Sequence, residues 1–158
     1  MSSWAQVVIA APDLASKVRT VLDAHKHKVL ATLKADGSPR VSGTELDFHI
    51  GEAWMGSMSG ALKARDLLRD PRLAIHCAPL DLEMTTGDVK LAGRAILVSD
   101  HAPYLAAHAA EATAPSPPDS FSLFRIDVSD IVCTSVVGDH LLIEAWSETR
   151  GVWSFDRK

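Results

Sequence analysis

Hydrophobic residues recur with a helical period in two stretches of the chain. In "PDLASKVRTVLDAH" the apolar residues fall three or four positions apart, namely Leu14, Val18, Val21 and Leu22. That spacing predicts an amphipathic helix with one buried face, and Asp13 suits its start. A second helix is predicted over residues 60–70 of "GALKARDLLRD", where the following Pro71 ends it. A third, shorter helix is indicated across "DHAPYLAAHAAEA".

Elsewhere apolar and polar residues alternate, which is typical of half-buried β-strands. Two strands flank the turn "ADGSP", with alternating residues Val29, Ala31 and Leu33 before it and Ser42, Thr44, Leu46 and Phe48 after it. "EAWMGSMS" predicts a third strand with Trp54 and Met58 on one face, and "RLAIHCAP" and "DVKLAGRAILVS" predict two more. The stretch "FSLFRIDVSDIVCTSVVGDHLLIEAWS" reads as two strands, a turn at Gly138 and Asp139, and a final strand. "TAPSPPDS" predicts a loop.

These elements define the expected fold class. Six or seven strands and two or three helices are predicted, and the strands are joined mainly by hairpins. Such a pattern favours an α+β protein built on a closed or split antiparallel barrel, with residues 1–158 as one domain. Strict alternation of strands and helices is missing, and no GxGxxG follows the first strand, which argues against a doubly wound parallel sheet.

Composition and charge narrow the function classes. Hydrophobic residues make up 47% of the 158 residues and charged residues 23%, which is ordinary for a globular protein. The formal net charge of −4 argues against a general nucleic-acid binder, because neutralising phosphates requires a basic face. No apolar window is long enough to span a membrane, and the first residues do not resemble a signal peptide, so the expected location is the cytoplasm.

The two cysteines, Cys77 and Cys133, lie in apolar alternating stretches without ligand spacing for a metal. We therefore expect buried free thiols rather than a disulfide or a metal site.

The start of the second helix is the first candidate for chemistry. Ser59 is a good N-cap residue, and Gly60 lets another group approach the free backbone amides that follow. Lys63 and Arg65 follow within the first turns and can contact a phosphate there. The alternative is a solvated basic face opposite Leu62 and Leu68, and spacing alone favours that alternative.

Three stretches of the chain carry a resemblance to a known family. They are, in order, "VLATLKADGSPRVSGTELDF", "EAWMGSMSGALKARDLLRDPRLAIH" and "VKLAGRAIL". With them the chain resembles the pyridoxamine 5′-phosphate oxidase-like family, and in particular its flavin/deazaflavin oxidoreductases of actinobacteria. In that family the run "KARDLLRDPR" corresponds to a Lys-x-x-Asn/Asp-Leu-x-x-Asp-Pro-Arg motif. The resemblance implies a split β-barrel homodimer with one cofactor, FMN or the deazaflavin coenzyme F420, at each end of the subunit interface. It places the phosphate on Lys63 and Arg65.

The resemblance also implies a wider set of cofactor-binding residues. The ring system would lie along residues 30–33, 40–44 and 55–59. Polar contacts would come from Ser42, Ser57 and Ser59, and Arg40 would reach the ring or the phosphate. Gly60, Leu62 and Met58 complete the expected set.

The chain departs from the family's namesake at its end. It closes with "ETRGVWSFDRK" and lacks the arginine-rich C-terminal motif that holds the phosphate of the vitamin B6 substrate. We therefore expect hydride transfer between F420 or FMN and a small conjugated planar substrate, with no catalytic side chain, since the cofactor ring carries the chemistry. The alternative is a non-catalytic protein of the same fold that binds flavin, haem or another planar cofactor.

Overall fold

The computed structural model describes residues 1–108 and 121–158. Four helices lie within this part of the chain: α1 Trp4–Ala10, α2 Pro12–Ala24, α3 Leu62–Arg69 and α4 Ala102–His108. The strands in the same part are β1 Lys28–Leu33, β2 Pro39–Thr44, β3 Asp47–His49, β4 Glu52–Met58, β5 Arg72–Cys77, β6 Asp88–Val98, β7 Phe121–Val137, β8 His140–Ser147 and β9 Gly151–Arg157.

All nine strands pair antiparallel in one sheet. Seven follow the order β2-β1-β5-β6-β7-β4-β3, and β8 and β9 extend the sheet from β7. The long strand β7 joins the seven-strand part of the sheet to β8 and β9, because residues 121–126 pair with β4 whereas residues 130–137 pair with β8. Together with the helices this arrangement is the α+β split-barrel fold that the sequence predicts.

The core lies inside this curved sheet and beneath α1 and α2. Helix α2 buries its predicted apolar face, including Val18, Val21 and Leu22, and packs on β6, β7 and β8. The largest fully buried side chains from the strands are Phe124, Leu30, Met55, Ile75, Leu91, Leu123, Ile126 and Ile131. In β1 the buried side chains are Lys28, Leu30 and Thr32. The alternating set Val29, Ala31 and Leu33 therefore faces outward.

Several features differ from the sequence prediction. The strand predicted from Ser42 to Phe48 is divided into β2, which pairs with β1, and β3, which pairs with β4. Helix α1 was not predicted, although Ser3 and Gln6 form a reciprocal capping box at its start, which is a sequence-level signal. The stretch before Gly138 is one strand of 17 residues rather than two, because the pairing partner changes along β7 without a break in the backbone. Strand β9 was also missed; it pairs with β8 along its whole length.

Both cysteines are free and buried, as predicted, and burial raises the pKa of each thiol. Within the part of the chain that the structure describes, no helix is long and apolar enough to cross a membrane. The predicted "TAPSPPDS" loop and the last residues of the third predicted helix lie outside the described residues.

The bulge between β6 and β7 gives a test of the packing. A Cβ on Gly93 would lie 2.2 Å from the backbone oxygen of Asp127, and no side-chain rotation relieves a clash with backbone. Gly93→Ala should therefore lower the free energy of unfolding by about 2–3 kcal/mol in urea titrations. Gly43→Ala is the control, since nothing lies within 4 Å of its added methyl group, and it should change stability by less than about 0.5 kcal/mol. Equal effects of the two substitutions would show that the strand pairing at Gly93 is wrong.

Candidate functional site

Helix α3 is bound to the neighbouring strands through one buried carboxylate. Asp66 accepts a hydrogen bond from Thr32 Oγ1 of β1 at 3.0 Å and from Arg40 Nε of β2 at 2.6 Å. Arg69, one turn further along α3, donates to the other carboxylate oxygen at 3.2 Å and also to the backbone oxygen of Leu33. Two cations and one hydroxyl therefore satisfy a carboxylate whose side chain is only 5% exposed.

The electrostatics of Asp66 follow from these contacts. Burial is the largest single influence and raises the pKa of the carboxyl group. The hydrogen bonds from Arg40, Thr32 and Arg69 together outweigh burial, so the pKa of Asp66 lies below its ordinary value. The carboxylate is thus held in its charged form, and it fixes the direction of α3 against β1 and β2.

The start of α3 differs from the prediction. The N-cap residue is Ala61 rather than Ser59, and no side chain caps the helix. The chain reverses instead through Gly60, whose φ of +75° favours glycine, with the Ala61 amide donating to the Met58 backbone oxygen at 3.1 Å. Ser59 lies exposed in this turn. The first backbone amides of α3 therefore lack a side-chain acceptor from the cap.

The side chain of Lys63 lies over the end of β2 that carries Gly43. Its Nζ atom donates to the backbone oxygen of Gly43 at 2.7 Å, so the side chain reaches back from α3 to the strand. Partial burial lowers the pKa of the Lys63 ammonium, and the nearby Glu45 carboxylate acts in the opposite direction. An anion beside Lys63 would compensate for the hydration that the ammonium has lost.

Arg65 lies exposed beside the turn. A Cβ on Gly60 would lie 3.9 Å from Arg65 Nη2, so the guanidinium lies close to the glycine backbone. Among the described residues Arg65 has no ion-pair or hydrogen-bond partner for its side chain. It differs in this from Arg69, which is occupied by Asp66 and Leu33.

Of the remaining predicted residues, two are exposed and apolar, and the others are polar residues on the strands. Met58 and Leu62 are exposed apolar side chains, 78% and 57% accessible, at the two ends of the turn that carries Gly60. Ser57 is buried, and its Oγ has no hydrogen-bond partner among the described residues. Ser42 is half-buried on β2, opposite Leu30. Arg40 contacts Asp66 and not open space, so its Nε atom is occupied within the monomer.

The buried face of α3 is not the one that the solvated-face alternative names. Leu62 and Leu68, which that alternative expects to be buried, are both more than half exposed. The buried side of the helix consists of Ala64, Asp66 and Leu67. An aspartate placed between two buried positions of a helix is the sequence signal that would have identified Asp66, but nothing local could have identified Arg40 as its partner.

Chemically, this arrangement is suited to an anion with an apolar neighbour. The start of α3 carries a lysine that reaches β2, an unpaired arginine beside Gly60 and uncapped backbone amides, and two exposed apolar side chains flank the turn. A buried hydroxyl without a partner lies on the adjoining strand. We find no paired acid and base in this set.

The fold places the chain in the class of antiparallel split-barrel proteins. Comparison with known proteins then identifies the family. The family model described as pyridoxamine 5′-phosphate oxidase matches residues 14–133. The chain therefore belongs to that family. No curated protein matches the sequence.

Solved structures support the fold. An FMN-binding protein related to pyridoxamine 5′-phosphate oxidase from Nostoc punctiforme has a TM-score of 0.64 and 14% identity, and the match covers 100% of this chain and 98% of that one. An F420 reductase has a TM-score of 0.57 and 17% identity over 72% of this chain and 94% of its own. A conserved hypothetical protein from Mycobacterium tuberculosis has a TM-score of 0.60 and 20% identity over 73% and 81%. At these identities the likeness shows the fold alone.

The buried carboxylate gives a prediction with a pH signature. Asp66→Asn should lower the free energy of unfolding at pH 7 by about 3 kcal/mol, because it removes the charged partner of Arg40. A carboxyl group whose pKa is lowered by folding stabilises the protein fully above its ordinary pKa of 3.8 and loses that effect as the pH falls through its folded value. The difference between wild type and variant should therefore be constant from pH 7 to about pH 5 and shrink below 3.8.

Asp23→Asn is the control for this experiment, since Asp23 pairs with Arg19 at the surface of α2. Such a pair contributes at most about 1 kcal/mol. A gap between wild type and Asp66→Asn that does not change down to pH 2 would contradict the role given to the Asp66 charge.

Proposed function

We propose that this protein is an oxidoreductase that binds F420 or FMN at the turn before α3 and transfers a hydride between that cofactor and a small conjugated planar substrate. The observation that carries the proposal is the pair of cations, Lys63 and Arg65, at a helix start whose backbone amides have no side-chain cap. Both cofactors present a phosphate group and a flat ring system, so the same residues would serve either one.

The phosphate group would bind at the turn. The positive end of α3 and its free amides favour an anion, and Gly60 carries no side chain that would block the approach. Lys63, in the first turn of α3, is already held against β2 by its hydrogen bond to the Gly43 backbone oxygen, so little side-chain entropy is lost on binding. Arg65 offers a planar guanidinium with two parallel donors for phosphate oxygens.

Apolar groups would receive the ring. Met58 and Leu62 are exposed to an extent that is costly for large apolar side chains, and a flat heterocycle would cover them. When bound, the ring accepts or donates the hydride; the protein orients it and excludes water.

The comparisons agree with this class of ligand. One structural neighbour is an F420 reductase and another is an FMN-binding protein, and both cover more than two thirds of this chain. Fold membership alone does not determine the reaction.

The proposal includes a homodimer. Across four neighbouring strands, Val41, Ala31, Ala74 and Ala92 are paired in register, and this row lies on the outward face of the sheet. Small side chains make that face flat, and Val41 is 71% exposed. A flat row of small apolar side chains suits close contact with a second copy, whose residues would complete the cofactor site.

Removal of the lysine tests the cofactor site. Lys63→Ala should weaken the binding of FMN or F420 by ten- to one hundredfold, because a charge-assisted hydrogen bond to phosphate contributes about 1.5–3 kcal/mol. Separate titrations of the apo protein with each cofactor, followed by fluorescence quenching, give the two dissociation constants. Lys158→Ala removes the same charge from an exposed terminal residue and should leave both constants unchanged.

Failure of the wild-type protein to bind either cofactor at micromolar concentration would overturn the proposal. Binding without multiple-turnover oxidation of the reduced cofactor by any planar acceptor would instead favour a carrier of the cofactor over an enzyme.

A charge in the middle of the outward row tests the dimer. Ala74→Glu should convert the protein from dimer to monomer, because the new carboxylates would be desolvated against the partner's apolar face. Light scattering coupled to gel filtration gives the mass directly. Leu82→Glu changes a residue that is 99% exposed in the segment before β6, and it should leave the mass unchanged. A wild-type protein that runs as a monomer at all concentrations would contradict this prediction.

A further inference from the structure

A cavity lies away from the turn before α3, between α2, the segment that precedes β6, and strands β7 and β8. Its volume is about 230 Å³. Its lining residues are Lys17, Thr20, Val21, Thr85, Thr86, Cys133, Ser135 and Glu144. None of them belongs to the proposed cofactor site, so a ligand in this cavity would not contact the cofactor-binding residues.

The floor of this cavity is buried and neutral. Val21, Cys133 and Ser135 are 1%, 2% and 7% exposed. Burial raises the pKa of the Cys133 thiol, which keeps it uncharged. Ser135 places a hydroxyl at the cavity floor, and within the described part of the chain that hydroxyl makes no side-chain hydrogen bond.

One wall of the cavity is held rigidly in place. A Cβ on Gly87 would lie 2.7 Å from Cys133 Sγ, which shows how closely the segment before β6 packs on β7. The Val136 amide also donates to the Met84 backbone oxygen at 3.0 Å. Thr86 is fixed by a 2.5 Å hydrogen bond from its hydroxyl to Asp81. The cavity is therefore a formed feature of this fold.

The mouth carries one charge of each sign. Lys17 Nζ of α2 and Glu144 Oε2 of β8 lie 2.5 Å apart, and the other lining residues are neutral. A lining with no net charge is a poor match for a phosphate or for a polyamine. A ligand with both a carboxylate and an ammonium group would exchange one ion pair for two. The exposed pair it opens contributes at most about 1 kcal/mol, so little opposes that exchange.

Size and polarity then restrict the ligand. At about 30 Å³ for each water, the cavity has room for roughly seven waters, and drug-sized pockets begin near 300 Å³. We propose that this cavity binds a small zwitterion, an α-amino acid with a short apolar side chain. Its carboxylate pairs with Lys17, its ammonium group pairs with Glu144, and its side chain packs on Val21 beside Ser135.

Three probes of matched skeleton test this site: L-valine, 3-methylbutanoate without the ammonium group, and isobutylamine without the carboxylate. In ¹⁵N NMR titrations of the full chain, L-valine should shift the amide signals of residues 17–21, 85–86 and 133–135 and saturate. The other two probes should bind several-fold more weakly. Lys17→Met and Glu144→Gln should each weaken the binding of L-valine several-fold, since each removes one ion pair of about 1 kcal/mol at the mouth of the cavity.

Lys26→Met is the matched control, because it breaks an exposed ion pair with Glu45 outside the cavity and should leave L-valine binding unchanged. The proposal is overturned if L-valine does not saturate, if either single-charge probe binds as well, or if the Lys17 and Glu144 variants bind it like wild type. FMN and F420 binding is measured separately at Lys63, so failure at one site is distinguishable from failure at the other.

Discussion

The buried charge of Asp66 is the constraint on which the candidate cofactor site depends. A carboxylate removed from water in this way destabilises a fold unless cations and hydrogen-bond donors surround it. Thr32 and Arg40 are direct partners in the register of β1 and β2, so both are presented to Asp66 at the same level of the sheet. Helix α3 can bind there in one orientation, and that orientation places Lys63 over Gly43, further along the same strand.

The spacing of apolar residues predicted the elements that bury one regular face. It did not predict features that depend on backbone conformation at a single residue or on contacts between residues far apart in the chain. Helix α2 has the predicted bounds within a residue, because its apolar spacing is helical throughout. Helix α3 begins later than predicted, because the reversal is made by the φ of Gly60 and no side-chain cap is used. The ion pair of Arg40 with Asp66 spans 26 positions in the chain, and no local pattern specifies a contact of that separation.

Strand β7 connects the two regions for which we propose ligands. Its first residues pair with β4, which leads into the turn before α3, and its last residues pair with β8, which supplies Glu144 to the cavity beside α2. The strand passes through the core between these ends, with Ile126, Val128 and Ile131 all fully buried. The two proposed sites therefore lie near opposite ends of one strand and share no side chain.

The central claim is that the phosphate group, and not only the ring, is recognised at the start of α3. Measuring the affinity of the protein for FMN against riboflavin, and for F420 against its phosphate-free deazaflavin core, isolates that contribution. The account predicts that the phosphorylated form binds at least tenfold more tightly to the wild-type protein, and that Lys63→Ala abolishes most of this preference. Equal affinity for the two forms, or a preference that survives in Lys63→Ala, would contradict it.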